Sequence, residues 1–182
     1  MYPVSDAFLR AVRSNTRKYY WTGTIVTRGG MTYEFGAKEI LKGSGYISRQ
    51  CCGSTEIELG TVYAAEMGIT LLSDIDRYTL EDAQVTLVFH LVLADGSVED
   101  VPMGVFEVSE ANRLAKCLEL KAYDFMLRFD KSFNGFETVG TAYDFIALCC
   151  KMCRVELAHK RAEIDAMPNG GVTLSVYTEN DI

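Results

Sequence analysis

The chain has 182 residues, 48% of them hydrophobic, and its 25 acidic against 18 basic residues give a net charge of −7. This length suggests one domain, or one complete domain with part of another, whose core needs no disulfides. The acidic balance disfavours direct binding of nucleic acid, which requires clustered cations. The first ten residues do not resemble a signal peptide, and the longest apolar stretch, residues 85–94, is too short to span a membrane. We therefore expect a soluble protein that is made in the cytoplasm.

The first predicted element is a short helix near the start of the chain. Ser5 can cap it, Phe8 and Val12 fall on one helical face, and it should end near residues 14–15. Four cations in this region follow helical spacing, and we interpret them as a solvated helix face. They are Arg10, Arg13, Arg17 and Lys18.

Residues 18–123 have the pattern of about seven strands joined by short turns. Aromatic and β-branched residues on both sides of Gly29-Gly30 predict one hairpin, and Asp95-Gly96 predicts another. Further strands are predicted at residues 46–52, 67–72 and 114–123. With helices confined to the ends, the pattern predicts an α+β fold that is mainly antiparallel β, either a barrel or a sandwich.

The stretch GTVYAAEMGITL, residues 60–71, combines glycines with β-branched residues, which oppose a helix. We interpret its first half as a bend or bulge that leads into a strand. Glu66 then lies at the entrance of that strand. A catalytic role for Glu66 is conceivable, but a solvated or backbone-capping carboxylate is the simpler interpretation.

The pattern changes after residue 137. An apolar stripe of period 3.6 predicts an amphipathic helix of about 14 residues, capped by Thr138 or Thr141. The stripe consists of Ala142, Phe145, Ile146, Cys149, Cys150 and Cys153. Residues 158–171 are polar and predicted to be irregular, 172–177 form a short strand, and 178–182 look like the start of an incomplete helix.

Few residues suggest a catalytic or metal-binding role. His90 lies in an apolar predicted strand, which favours a hydrogen-bonded core or sheet-face histidine, whereas His159 should be exposed. Asp74 and Asp76 could hold a hard cation but are expected to face solvent. The sequence predicts no catalytic residues and no metal or other cofactor.

The six cysteines are expected to be free thiols, because their spacing is not that of a secreted disulfide framework. They are Cys51, Cys52, Cys117, Cys149, Cys150 and Cys153. The alternative is a zinc or thiol enzyme in which Cys149, Cys150 and Cys153 act with His159. A separate alternative is a small module that binds a host-surface glycan or protein through Tyr19, Tyr20 and Trp21 and the loop 133–136.

Five stretches resemble, in order, the N-terminal region of tail hub proteins of long-tailed phages and prophages of Gram-positive bacteria. They are YPVSDAFLRAVRS, GYISRQCCGSTEIELGTVYAAEMGITLL, YTLEDAQVTLVFHLVLADGSVEDVPMGVFEVSEA, LELKAYDFMLRFDKSF and GTAYDFIALCCKMCRVEL, and they cover most of residues 2–157. The resemblance implies a tail-tube-like β-barrel or sandwich domain at residues 1–136. Residues 137–182 would be the start of a second, truncated domain.

The resemblance also implies a role in assembly. Proteins of this family form trimers at the distal end of the tail tube, next to tube and baseplate proteins, and this region of them is not enzymatic. We therefore expect a virion tail protein that binds copies of itself, without specific nucleic-acid binding. In this family, residues 60–71 resemble the junction that closes the barrel.

Overall fold

The structure is a computed structural model that describes residues 2–50, 63–131 and 138–176. The chain forms two compact units, Met1–Leu127 and Arg128–Ile182. The roles expected for residues 1–136 and 137–182 stay predictions. Several predicted features lie outside the described residues, namely Cys51, Cys52, the first part of 60–71, the loop 133–136 and the helix start at 178–182.

The first unit consists of one short helix and a seven-stranded sheet. Its elements are α1 (Asp6–Val12), β1 (Lys18–Val26), β2 (Thr32–Phe35), β3 (Tyr46–Ser48), β4 (Glu66–Leu72), β5 (Gln84–Val92), β6 (Val98–Leu114) and β7 (Cys117–Tyr123). Two 3-10 helices, Arg77–Leu80 and Phe125–Phe129, follow β4 and β7. The predicted helix cap is confirmed, because the Ser5 hydroxyl accepts a hydrogen bond from the Phe8 amide.

The strand order is β2-β1-β5-β6-β7-β4-β3, and every pairing is antiparallel. The predicted α+β, mainly antiparallel fold is confirmed, and the sheet has a sandwich-like form. Closure into a barrel is wrong for the described residues, because β2 and β3 form the two ends of the sheet. β2 stops at Phe35, and the connection to β3 meets β4 through a single bridge between Ile40 and Leu71 and through hydrogen bonds of the Ser44 hydroxyl with the Thr70 backbone, without adding a named strand that closes the sheet.

Alternating apolar residues of the strands build one core. Val85 and Leu87 of β5, Leu118 and Leu120 of β7 and Met67 of β4 are all fully buried in it. In β7 every second side chain is buried, namely Leu118, Leu120 and Ala122, as expected when one face of a sheet is covered.

Both predicted glycine hairpins are confirmed. Gly30 and Gly96 have φ values of 83° and 86°, which suit glycine because it has no Cβ. The following hairpin differs from the prediction, since β6 continues to Leu114 and the turn lies at Ala115, whose φ is 52°. Leu114 therefore ends β6, whereas the sequence pattern assigned it to β7.

Two glycines in the sheet leave space for aromatic rings. A Cβ on Gly68 would lie 2.2 Å from the ring of Tyr46, and one on Gly23 would lie 2.3 Å from the ring of Phe35. Both pairs are direct cross-strand neighbours. The glycine in the predicted strand 67–72 is thus used for close aromatic packing.

The second unit contains β8 (Thr138–Gly140), α2 (Ala142–Cys153), α3 (Arg161–Asp165) and β9 (Leu174–Val176), and β8 pairs with β9. The predicted amphipathic helix is confirmed as α2, with Thr141 as its cap in a capping box with Asp144. Its stripe is only partly buried, because Cys150 and Cys153 are buried whereas Ile146 is exposed. The expectation of an irregular segment at 158–171 is wrong at residues 161–165, which form α3, and the Glu163 carboxylate accepts a hydrogen bond from the amide of Lys160, the residue before this helix.

Candidate assembly surface

Three adjacent strands extend beyond their outer neighbours at one end of the sheet. We call residues 18–22 of β1, 88–92 of β5 and 98–102 of β6 the ribbon. Within it, Tyr20 lies opposite His90, and His90 lies opposite Asp100. β2 pairs with β1 only from Gly23 onwards, and β7 pairs with β6 only from Glu107 onwards. In the part of the chain that the structure describes, both outer edges of the ribbon therefore lack a strand partner.

The hairpin between β1 and β2 shows which backbone groups point to the free edge of β1. The Thr27 amide donates to the Met31 carbonyl at 2.9 Å, which makes Thr27 and Met31 a hydrogen-bonded pair. Such pairs alternate along an antiparallel ladder, so odd-numbered residues of β1 point towards β2 and even-numbered residues towards β5. The N–H and C=O groups of Tyr19 and Trp21 thus face the free edge.

The free edge of β6 follows from the same rule. The Leu93 amide donates to the Ser97 carbonyl at 2.8 Å, so odd-numbered residues in the first part of β6 bond to β5. The backbone groups of Val98 and Asp100 then face outwards, as does the nitrogen of Pro102. Proline is tolerated in a strand only where its nitrogen needs no partner, which agrees with this assignment.

Helix α1 packs on the inner face of the ribbon. The ring of Phe8 meets Phe89 edge to face at 6.3 Å, and Phe89 also contacts the rings of Tyr19 and Trp21. The Ser5 amide donates to Glu99 at 2.8 Å, and the Ser5 hydroxyl donates to the same carboxylate at 2.5 Å. These contacts fix the ribbon to the helix without using its edges.

The outer face of the ribbon carries a hydrogen-bonded histidine. His90 Nδ1 lies 2.6 Å from Asp100 Oδ1, and Nε2 lies 2.7 Å from the Thr22 hydroxyl. The Tyr20 ring stacks on the imidazole with centroids 4.5 Å apart. The prediction of a sheet-face histidine is confirmed, and its partners hold the three strands of the ribbon together.

The two free edges carry opposite charges. Arg17 and Lys18 are exposed at the β1 edge, and Asp100 is exposed at the β6 edge. Lys18 shares the outer face with Tyr20, because side chains alternate along a strand. The predicted helix face of four cations is corrected, since α1 ends at Val12 and Lys18 is the first residue of β1.

A groove of about 510 Å³ runs beside the β1 edge. Trp21, Ile40 and Ile69 contribute apolar surface to it, and Arg17 and Lys42 contribute cations. Tyr19 is 53% exposed, so the aromatic run is only partly used for core packing. The connection between β2 and β3 forms the opposite wall of the groove, at Ala37, Ile40, Lys42, Gly43 and Gly45.

Glu66 lies partly exposed on the surface of the sheet. It is the first residue of β4, as predicted, but its carboxylate accepts a hydrogen bond from the Tyr46 hydroxyl at 2.6 Å and pairs with Lys121 at 3.4 Å. The Tyr46 hydrogen bond, with a smaller contribution from Lys121, lowers the pKa of Glu66. Glu66 therefore ties β3, β4 and β7 together on the sheet surface.

Two of the three cysteines of α2 are buried, and Cys149 is partly exposed. Cys150 and Cys153 are each 8% exposed, and burial raises the pKa of the Cys150 thiol, which disfavours the thiolate needed for zinc or redox chemistry. His159 is exposed, as predicted, and pairs with Glu163 at 3.3 Å. In the described residues no three Cys, His, Asp or Glu side chains are grouped so that they could hold a metal ion.

The two aspartates that the sequence offered for a hard cation, Asp74 and Asp76, have separate roles in the structure. Asp74 is exposed, as expected, and Asp76 caps the 3-10 helix by accepting from the Tyr78 amide.

Across the described ranges, no helix is both long and apolar enough to cross a bilayer. The ribbon was not predicted from the sequence, although Pro102 within a long strand pattern is a signal for a free edge.

Within residues 2–50, 63–131 and 138–176, these features define an antiparallel sheet with two unpaired strand edges at one end. No protein-family model and no curated protein matches the sequence. Among solved structures, the chain is similar to a chain of a structure described as the virion of a native gene transfer agent (GTA) particle. The two share 12% identity and a TM-score of 0.46, and the match covers 91% of this chain and 56% of that chain. This chain thus spans little more than half the length of that neighbour.

Proposed function

We propose that this chain is a structural component of a phage or prophage tail, a hub or baseplate protein at the distal end of the tail tube. It acts through assembly rather than catalysis, after synthesis in the host cytoplasm. The resemblance of its segments to tail hub proteins, in order along the chain, supports this role. Its proposed partners are copies of itself, as a trimer, and the neighbouring tube and baseplate proteins.

One observation carries the proposal, namely the two unpaired edges of the ribbon. Unpaired strand edges are templates for pairing with another chain, and proteins that stay monomeric usually blunt them. The β1 edge contains exposed aromatic residues, no proline and a single charged residue, Lys18, at its start, whereas Pro102 blunts the β6 edge. A protein whose role is to join other subunits is expected to present such an edge.

The net charge of −7 agrees with a position along the path of the genome. A surface with clustered cations holds phosphates strongly, whereas an acidic surface repels them. DNA could therefore pass without being held. We expect no retention of this protein on duplex DNA at physiological salt.

Purified particles provide the test. In the host that carries the gene, mass spectrometry of released tails should detect this protein at a few copies per particle. Deletion of the gene should yield particles that lack complete tails by electron microscopy, and the gene supplied on a plasmid should restore them. Normal tails in the deletion strain, from particles without the protein, would contradict the proposal.

A second candidate function is favoured by the exposed rings of Tyr19 and Tyr20 beside the groove. Aromatic surface of this kind can bind a host-surface glycan or a peptide. Binding on a glycan array that is lost in Tyr20→Ala, together with absence from purified tails, would favour this candidate. An array without a signal above background would remove the glycan version.

A further inference from the structure

We infer that the groove beside β1 binds a small organic anion whose body is an aromatic ring. This ligand differs from the neutral glycan considered above, and the inference goes beyond the tail role and does not depend on it. Ligand sites in proteins are clefts of about 300–1,000 Å³ that are mostly apolar and contain a few polar groups. The groove has a volume of about 510 Å³ and a lining of this kind.

The apolar lining of the groove is more buried than its charged lining. Ile69 of β4 is 2% exposed, and Trp21 and Ile40 are half-buried and pack against the core. Arg17 and Lys42 are exposed. A ligand can therefore bury an aromatic ring against Trp21 while its charged group stays near the cations and the solvent.

The charge of the groove selects an anion. Every charged residue that lines it is basic, although acidic residues outnumber basic ones in the chain. The three cations are Arg17, Lys18 and Lys42, and within the described residues none of them forms an ion pair with a carboxylate. Arg17 donates to the Val12 carbonyl at 3.5 Å, which leaves its charge uncompensated. Its guanidinium can bind a carboxylate, sulfonate or phosphate through two hydrogen bonds.

Backbone donors of β1 face the same groove. All five residues 17–21 line it, so the groove follows the edge of the strand rather than one of its faces. The N–H groups of Tyr19 and Trp21 point to this edge, because β2 pairs with β1 only from Gly23 onwards. An anionic group in the groove can thus accept a charge-assisted hydrogen bond from the backbone in addition to its ion pairs.

Both walls of the groove are held in place by the fold. β1 is paired with β5 along its whole length. The opposite wall, within residues 36–45, is fixed to β4, because the Leu41 amide donates to the Thr70 carbonyl at 2.9 Å and the Leu72 amide donates to the Glu39 carbonyl at 2.7 Å. A site that is formed before binding avoids the entropic cost of ordering its walls around the ligand.

A second groove of about 550 Å³ offers a comparison within the same unit. It is formed by β1, β2 and β5, and the charged residues among its described lining are Glu34 and Glu39. The two grooves have similar volumes and opposite charges. An organic anion is therefore expected beside Arg17 and Lys42, and repelled from the groove of the two glutamates.

Two fluorescent dyes that differ by one sulfonate group test the site on the whole chain. One molecule of 8-anilinonaphthalene-1-sulfonate should bind per chain. N-phenyl-1-naphthylamine, which has the same rings without the charge, should bind at least about tenfold more weakly. Trp21 is the only tryptophan of the chain and lines the groove, so energy transfer from Trp21 to the dye reports binding at this place.

Charge-neutralising variants locate the binding of the sulfonate. Arg17→Gln and Lys42→Gln should each weaken binding of the anionic dye about fivefold to tenfold and leave the neutral dye unaffected. Arg10→Gln and Lys38→Gln change the net charge equally at exposed positions that do not line the groove, and they should bind both dyes as the wild type does. Thermal denaturation followed by circular dichroism verifies that all four variants are folded.

Several results would overturn the inference. These are equal affinity for the two dyes, binding of the anionic dye without energy transfer from Trp21, no binding of either dye, or equal losses in the groove variants and in the controls. The outcome is separable from that of the proposed function. Presence of the protein in purified tails would leave the tail role standing even if the groove bound no anion.

Discussion

Single residues decide where strands of this protein can approach each other. Gly23 and Gly68 each lie beneath an aromatic ring of the neighbouring strand, from Phe35 and Tyr46 respectively. In the first case a backbone carbonyl, that of Thr86, is also within 2.7 Å of the position that a Cβ would take. The Gly23 site therefore cannot relax by moving a side chain alone, whereas at Gly68 only the Tyr46 ring is in the way.

Gly23→Ala is therefore expected to lower the free energy of unfolding by about 1–3 kcal/mol, through overpacking against Phe35 and Thr86. Urea denaturation of the two proteins measures the difference. Gly45→Ala is the control, because nothing lies within 4 Å of its added Cβ and its φ is not positive. An effect of Gly23→Ala no larger than that of the control would show that the contact is not restrictive.

Asp144 controls the start of α2. Arg161, and next the Thr141 amide, which donates to Asp144 at 2.8 Å, lower the pKa of this carboxyl to about 2. A depressed pKa in the folded state adds stability above the ordinary value near 4, and this stability is lost as the pH falls towards 2. We expect Asp144→Asn to melt at a lower temperature than the wild type at pH 6.

That difference in melting temperature should shrink as the pH decreases from about 4 and vanish near 2. Thermal denaturation followed by circular dichroism at a series of pH values provides the measurement. Asp74→Asn, at an exposed aspartate in the first unit, is the matched control. A difference that stays constant with pH would contradict the assigned role.

At the scale of elements, the turns determine the length of each strand. β6 has 17 residues because no turn occurs until Ala115, whose φ of 52° lies in the left-handed region. That conformation costs an alanine about 1–2 kcal/mol relative to a right-handed one. The extra length of β6 is what allows it to pair with β5 along one half and with β7 along the other.

Ala115→Gly should stabilise the first unit by about 0.5–1 kcal/mol, because glycine adopts positive φ without a Cβ clash. Chemical denaturation gives the change. Ala111→Gly, in the interior of the same strand, should instead destabilise it. Stabilisation by both changes, or by neither, would argue against strain at the turn.

At the scale of the molecule, the first unit depends on one core, to which all of its strands except the short edge strands β2 and β3 contribute fully buried residues. Leu87 of β5 lies in this core with no exposed surface. Leu114 has the same side chain but is 82% exposed at the end of β6. Comparing Leu87 with Leu114 therefore separates the contribution of burial to the free energy of unfolding from the contribution of the residue type.

We expect Leu87→Ala to lower the free energy of unfolding by about 2–5 kcal/mol, since it removes buried methyl groups and leaves a cavity. Leu114→Ala should change it by less than about 0.5 kcal/mol. Guanidinium denaturation with a fluorescence signal from Trp21 provides the comparison. Equal effects would mean that the core lies elsewhere.

Local signals in the sequence determined most of the elements. Ser5 marked the start of α1, Gly29-Gly30 and Asp95-Gly96 marked two hairpins, and the 3.6-residue stripe marked α2, because capping, turn and periodicity signals act between near neighbours. The start of β4 at Glu66 was also predicted. Its partners Tyr46 and Lys121 were not, because they come from strands far apart in the sequence.

Only the tertiary structure decided whether the sheet closes and which edges remain free. Strand patterns predict faces but not partners, and closure depends on where β2 stops and how the chain crosses from Phe35 to β3. The free edges of the ribbon arise because β2 and β7 begin pairing beyond its end. The sequence determined local conformation through near neighbours, whereas long-range pairing set the assembly surface.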